Sequence, residues 1–213
     1  MTQNLADQAP GLPNGDVSAA ANHWVVGDRI LEMRTPWCTV IGEHWQDHRG
    51  HNLDYWRIER ADSLIILPIH RRKFLLPPPM YRPGVGAATL DFPGGRLPEG
   101  VIPAVAAAQI LWRELAIPTE VVGGATATPM VQIYPLNPVA WNVNSSFSNQ
   151  GLLGFWAVLD ATLEIAAEQA YPTTLEGIQA LTQHLTCLQC RALLLEWWFQ
   201  VSIGAIAPGT IGG

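Results

Sequence analysis

Two groups of side chains in this chain have residue types suited to metal or redox chemistry. His44, Asp47, His48 and His51 crowd one polar stretch, and Cys187-Leu188-Gln189-Cys190 is a C-x-x-C. The histidine spacing fits no closed tetrahedral signature. The stretch lies between strand-like runs, so it reads as a solvated hairpin loop. The thiol pair falls inside a helix-forming run, with no second ligand pair and no βαβ pattern before it. It reads as two buried helix cysteines. With Cys38 the cysteines number three, which makes no disulfide framework. The sequence carries no Ser-His-Asp order, nucleophile elbow or G-x4-G-K-[ST] phosphate loop. Its remaining chemistry-bearing acids near a glycine turn are Asp91, Glu99, Glu114 and Glu120. From residue 121 to residue 159 there is no Asp, Glu, Lys or Arg at all.

The elements that must position these groups follow from periodicity. Strand-like runs occupy 29–34, 38–41, 54–60 and 63–69. In Tyr55, Arg57 and Glu59 one face alternates with the other, whereas Leu64-Ile65-Ile66-Leu67 is apolar on both faces, as in a central strand. A further strand, 73–76, is stopped by Pro77, Pro78 and Pro79. The turn Pro93-Gly94-Gly95 follows a strand through Leu90 and Phe92. Pro103 suits a first helical position, and 104–115 is strongly helix-forming up to Pro118. Strands are predicted again at 130–134 and 154–159. Of the nine tryptophans, Trp56, Trp112 and Trp156 fall in predicted elements and are expected in the core, while Trp37, Trp45 and Trp141 fall in loops. The order predicts a mixed α/β domain.

Composition bounds the partners. Of 213 residues, 48% are apolar and 14% charged, with a net charge of −6. That field argues against nucleic-acid or anionic-membrane binding, which need a basic surface. Residues 1–22 lack the apolar run of a signal peptide and read as a disordered tail. The apolar stretch 192–206 contains Glu196 and Gln200 and is too short to span a bilayer. A cytoplasmic location is expected.

The segment from Gly95 to Ile117 carries the strongest motif. Phe92-Pro93-Gly94-Gly95-Arg96-Leu97-Pro98-Glu99-Gly100 leads into a helix ending Leu111-Trp112-Arg113-Glu114-Leu115-Ala116-Ile117, with Ala106-Ala107 midway. It resembles the box of the Nudix hydrolases, G-x5-E-x7-R-E-U-x-E-E-x-G-U, without gaps from Gly95. Tyr81-Arg82-Pro83 before the box strand and Tyr134-Pro135 after the helix resemble its ADP-ribose pyrophosphatase branch. The likeness spans about residues 30–160. It implies a Nudix-like α/β/α sandwich with a mixed sheet, an N-terminal antiparallel extension and a C-terminal helix. The expected divisions are a tail at 1–22, a β extension at 23–60, the Nudix-like domain at 61–163, a helical segment at 164–205 and a tail at 206–213.

The departures from that box decide the functional expectation. Val101 stands at its first glutamate, Gln109-Ile110 at Arg-Glu, Arg113-Glu114 at Glu-Glu and Ala116 at the closing glycine. Metal ligation needs carboxylates three and four residues apart on one helical face, and only Glu114 survives. An arginine about 5 Å from a divalent ion costs several kcal/mol even at an effective dielectric of about 20. The resemblance therefore implies a degenerate box in a catalytically impaired protein. Such a protein would bind a nucleotide diphosphate such as ADP-ribose, a protein partner, or both. The alternative is a working Mg²⁺-dependent pyrophosphatase for ADP-ribose or a nucleotide sugar. In that mechanism Glu114 and Glu99 are the catalytic candidates, with Glu114 a weak metal ligand and Glu99 or Glu120 a helper. Arg82, Gly95, Arg96 and Arg57 are the ligand-binding candidates. Replacing Ile110 and Arg113 by glutamate is expected to improve metal binding.

The C-terminal run predicts one long helix from Thr173 to about Ile203, capped by Thr173 or Thr174 with Glu176 favouring its positive end. Ile178, Leu181, Leu185, Leu188, Ala192, Leu195 and Phe199 form one stripe for the domain's own core. Leu194, Trp197 and Trp198 fall beyond it and are expected at an interface, most simply of a homodimer.

Overall fold

The computed structural model describes residues 23–118, 121–122, 125–126, 130–165 and 169–207. In chain order the strands before the first helix are β1 (Val25–Arg34), β2 (Thr39–Gln46), β3 (Asn52–Glu59), β4 (Ser63–His70), β5 (Lys73–Leu76), β6 (Met80–Arg82), β7 (Ala87–Thr89) and β8 (Gly94–Arg96). Helix α1 (Pro103–Leu115) precedes β9 (Val121–Val122), β10 (Ala125–Thr126), β11 (Val131–Pro135), β12 (Trp141–Asn142), β13 (Gly151–Leu159) and β14 (Gln169–Pro172). Helices α2 (Leu175–His184) and α3 (Leu188–Ser202) follow. No helix among the described residues is long and apolar enough to cross a membrane.

The chain forms two compact units. The first, described residues 23–33 and 40–57, holds most of the antiparallel sheet β1-β2-β3. Trp24, Trp45 and Tyr55 meet edge to face at 6.0–6.5 Å between centroids. Trp56, expected in the core, is instead partly exposed, with its ring lying over Gly42, where a Cβ would come within 2.8 Å of it.

Glu43, only 3% exposed, accepts from Arg57 Nε at 3.0 Å and Arg57 Nη2 at 3.3 Å, and from Arg29 Nη2 at 3.2 Å. The bonds from Arg57 hold its carboxyl below the ordinary 4.5, against the upward push of burial. A depressed folded pKa adds stability that is present above the unfolded pKa and is lost as pH falls through the folded one. Glu43→Gln should therefore cost about 2 kcal/mol near neutral pH and flatten the decline in stability below pH 4.5. Urea titrations of both proteins across acidic pH check this.

The second unit is built on a mixed sheet of order β11-β13-β4-β5-β14, with β8 and β12 paired onto β4 and β13. β4 and β13 run parallel, Leu64 beside Leu153 and Ile66 beside Phe155. Alternation along these strands feeds two cores. Leu64, Ile66, Phe155 and Ala157 pack with Ala106, Ala107 and Leu111 of α1. Ile65, Leu67, Trp156 and Val158 pack with Leu181, Leu193 and Trp197 of α2 and α3. The result is an α/β/α sandwich with a central strand buried on both faces, as Leu64–Leu67 predicts.

Helix α1 starts with Pro103 in its first turn and ends at Ala116, whose φ of 52° is left-handed. The N–H of Ala116 bonds the Trp112 carbonyl at 3.0 Å, closing the helix where glycine would cost less strain. Trp112, expected in the core, is 60% exposed.

The C-terminal run is not one helix. Thr174 caps α2 by accepting from Gly177 N–H at 3.3 Å, but Leu185 and Cys187 have extended backbone. Leu185 forms a parallel bridge with Leu90 instead of continuing the helix. The three-residue break resets the phase of α3. Leu194 and Trp197, expected at an interface, are fully buried in their own chain's core, and Trp198 is half-buried. Leu188, Leu195 and Phe199, expected in the core, are exposed, Leu188 by 76%.

Candidate functional site

A cavity of about 700 Å³ opens in the second unit where β4, β8 and the start of α3 converge, β8 standing where the sequence predicts a turn. β8 pairs antiparallel with β4, setting Gly95 opposite Leu64 and Arg96 opposite Ser63. The close approach requires glycine at 94, where a Cβ would lie 2.9 Å from the Leu64 carbonyl oxygen. Gln150 borders the cavity and donates to Ser63 Oγ at 2.6 Å.

Two arginines frame the opening. The guanidinium of Arg96 stands over the ring of Trp37, 5.7 Å from its centroid, and donates to the Pro36 carbonyl at 3.1 Å. Trp37 remains 74% exposed, a flat apolar face beside a cation. Arg82 donates to Asp91 Oδ2 at 2.9 Å, and Thr89 Oγ1 donates to the same oxygen at 2.8 Å. The other oxygen, Asp91 Oδ1, is buried without a hydrogen-bond partner.

The rear wall comes from the helix break. Because Leu185 bridges Leu90, Thr186 and Cys187 arrive next to Asp91, and Cys187 becomes the N-cap of α3. The half-buried Cys187 thiol is brought down to about 6 by donation from the Cys190 thiol. Burial opposes the shift, and the first-turn N–H groups of Cys190 and Gln189 assist it. Buried Cys190 is pushed up by that same bond, by burial and by the neighbouring Cys187 charge. The pair thus opens a helix, contrary to the expectation of two mid-helix cysteines.

Of the residues singled out by sequence, Arg82, Gly95 and Arg96 line this cavity together. Glu99 is exposed in the turn before α1, outside the lining. Glu114 also lies outside the lining and is tied to the start of β8 through Arg113. Arg113 Nη2 donates to Glu114 Oε1 at 2.5 Å and to the Gly94 carbonyl at 2.9 Å. Arg57 lies in the first unit, bonded to Glu43. Glu120 lies outside the described residues.

The histidines resolve into separate pairs, His44 with Asp54 at 2.8 Å and His51 with Asp47 at 3.1 Å. Asp47 also accepts from the N–H groups of Arg49 and His51, which closes the loop on itself. In the uncharged segment, Asn137 is structural. It is buried, donates to the Val139 and Leu152 carbonyls and accepts from Gly154 N–H.

Sequence reasoning assigned no role to Asp91 or Gln150 and placed the cysteines elsewhere. The Leu90–Leu185 bridge brings the cysteines to Asp91, while Gln150 is placed by its bonds to Ser63 and the Ala61 carbonyl, all contacts between distant residues.

No protein-family model matches the sequence, and no curated protein matches it. Among solved structures, one described as an ADP compounds hydrolase is similar, with a TM-score of 0.63 at 17% identity. The match covers 86% of this chain and 97% of that one. The likeness shows a Nudix-like fold, in agreement with the mixed sheet, the antiparallel N-terminal strands and the C-terminal helices.

Proposed function

We propose that this chain uses a Nudix-like fold to bind a nucleotide diphosphate of the ADP-ribose kind, with hydrolysis impaired. The observation that carries this reading is the position of Arg113. Its guanidinium joins Glu114 to the Gly94 carbonyl, so the last helix carboxylate of the box faces a fixed cation. A Mg²⁺ ion needs several oxygen ligands and would meet that positive charge at close range. The residues of this helix face do not fit such an ion.

Binding remains chemically reasonable. Arg60, Arg82 and Arg96 line the cavity, and guanidinium forks suit phosphate oxygens. Trp37 offers a flat ring for a base to stack on. The similar solved protein is described as acting on ADP compounds, which supports this ligand class. A cytoplasmic location belongs to the same reading. A homodimer through α3 would have to use exposed Leu188, Leu195 and Phe199 with half-buried Trp198.

Calorimetric titration of ADP-ribose with and without Mg²⁺, followed by product analysis, tests the proposal. The expected result is binding that Mg²⁺ leaves within about twofold and that Arg96→Ala weakens about tenfold, or about 1.4 kcal/mol. Turnover should be very slow or absent. Rapid Mg²⁺-dependent hydrolysis abolished by Glu114→Gln would establish the working pyrophosphatase instead.

A further inference from the structure

We infer that Cys187, Cys190 and Asp91 form a binding site for one thiophilic divalent cation, of which Zn²⁺ is the natural example. Their ligand atoms, two Sγ and one carboxylate oxygen, all lie within 4.8 Å of one another, the only such group among the described residues. A tetrahedral ion with Zn–S bonds of about 2.3 Å spans sulfurs about 3.8 Å apart. Closing the site thus needs only small side-chain adjustments.

The second observation is the orphaned oxygen of Asp91. Oδ2 is held by Arg82 and Thr89, while Oδ1 is buried with no partner. A buried acceptor without a donor is uncommon, and a cation satisfies it directly. Ligating carboxylates ordinarily keep an outer hydrogen bond that orients them, which Arg82 and Thr89 supply. The N–H of Phe92 serves the Cys190 sulfur in the same way.

Two sulfurs and one oxygen select a softer ion than Mg²⁺. Three protein ligands leave a fourth position, and all three residues line the cavity, so water or an anionic ligand group can complete the shell. Binding sends the thiol protons to solvent. The site needs no nucleotide, so its success or failure is independent of ADP-ribose binding.

The test uses the full chain, reduced and freed of metal. Zn²⁺ affinity is measured against a competing chelator, Co²⁺ is used to look for thiolate-to-metal charge-transfer absorption, and iodoacetamide maps protected cysteines by mass spectrometry. Expected are one ion per chain, a charge-transfer band, and Zn²⁺-dependent protection of Cys187 but not Cys38, with buried Cys190 unreactive throughout. Cys187→Ser should weaken Zn²⁺ binding by at least about 100-fold and Asp91→Asn by about tenfold, with Cys38→Ser unchanged. Circular dichroism reports folding of each variant, and the protection pattern on the unaltered protein decides if Cys187→Ser does not fold. Absence of binding by the reduced protein overturns the site, as does Zn²⁺ affinity unchanged in folded Cys187→Ser. A Cys187–Cys190 disulfide in a protein that takes no Zn²⁺ when reduced also overturns it, making the pair a redox couple.

Discussion

Replacing Trp197 by alanine should lower folding stability by about 4 kcal/mol, to the same extent in dilute and concentrated protein. The side chain is fully buried in its own chain, with its ring 4.9 Å from that of Phe74 and nearly perpendicular to it. Removing it opens a cavity among residues of β4, β5 and α2 that are themselves buried. Trp197→Phe should cost far less, because the indole N–H has no hydrogen-bond partner to lose. Urea unfolding at two protein concentrations separates the core reading from the interface reading. A stability loss that vanishes on dilution, with light scattering showing a dimer dissociating, would return Trp197 to an interface.

That tryptophan marks where the sequence stops being legible. Periodicity finds the central strand at Leu64–Leu67 and the helix after Pro103, because each is a local pattern closed by proline or a strong helix former. It also finds the packing alanines of α1, but the turn expected at Gly94-Gly95 is strand β8, paired with β4. It does not find the break at Leu185–Cys187, which contains neither proline nor glycine. Leu185 leaves the helix to bridge Leu90, a gain invisible to any window of neighbouring residues. Every face assignment beyond that point shifts, so Leu188 turns outward and Leu194 inward. The same bridge brings Cys187 to Asp91 and creates one wall of the cavity. Outside the cavity, Arg113 beside Glu114 is readable from sequence, whereas its bond to the Gly94 carbonyl depends on how β8 lies against α1.

The second large effect concerns Ile110, which the box alignment offers as a place to restore a glutamate. Ile110 is 3% exposed and packs with Leu64, Ile66 and Leu111. Its Cδ1 lies 3.3 Å from where a Cβ on Gly95 would stand, so it supports β8 from beneath. Ile110→Glu would place a carboxyl in an apolar layer where the nearby Arg113 guanidinium is already held by Glu114 and the Gly94 carbonyl. The expected cost is about 3–5 kcal/mol, or retention of the proton with a raised pKa. A raised folded pKa makes the sign testable: the loss should grow as pH rises above about 4.3, the unfolded value. The double change of Ile110 and Arg113 to glutamate is therefore expected to unfold the domain rather than build a metal centre. Arg113→Glu alone should cost only about 1 kcal/mol, since that side chain is largely exposed but gives up its bond to the Gly94 carbonyl and its favourable charge in the last helical turn. It removes the cation from Glu114, sets two carboxylates at the helix end, and should raise Mg²⁺ affinity at least about tenfold. Thermal melts of both single variants, with Mg²⁺ titrations of the folded one, check the pair. A stable Ile110→Glu that binds Mg²⁺ would show that its side chain reaches the cavity after all.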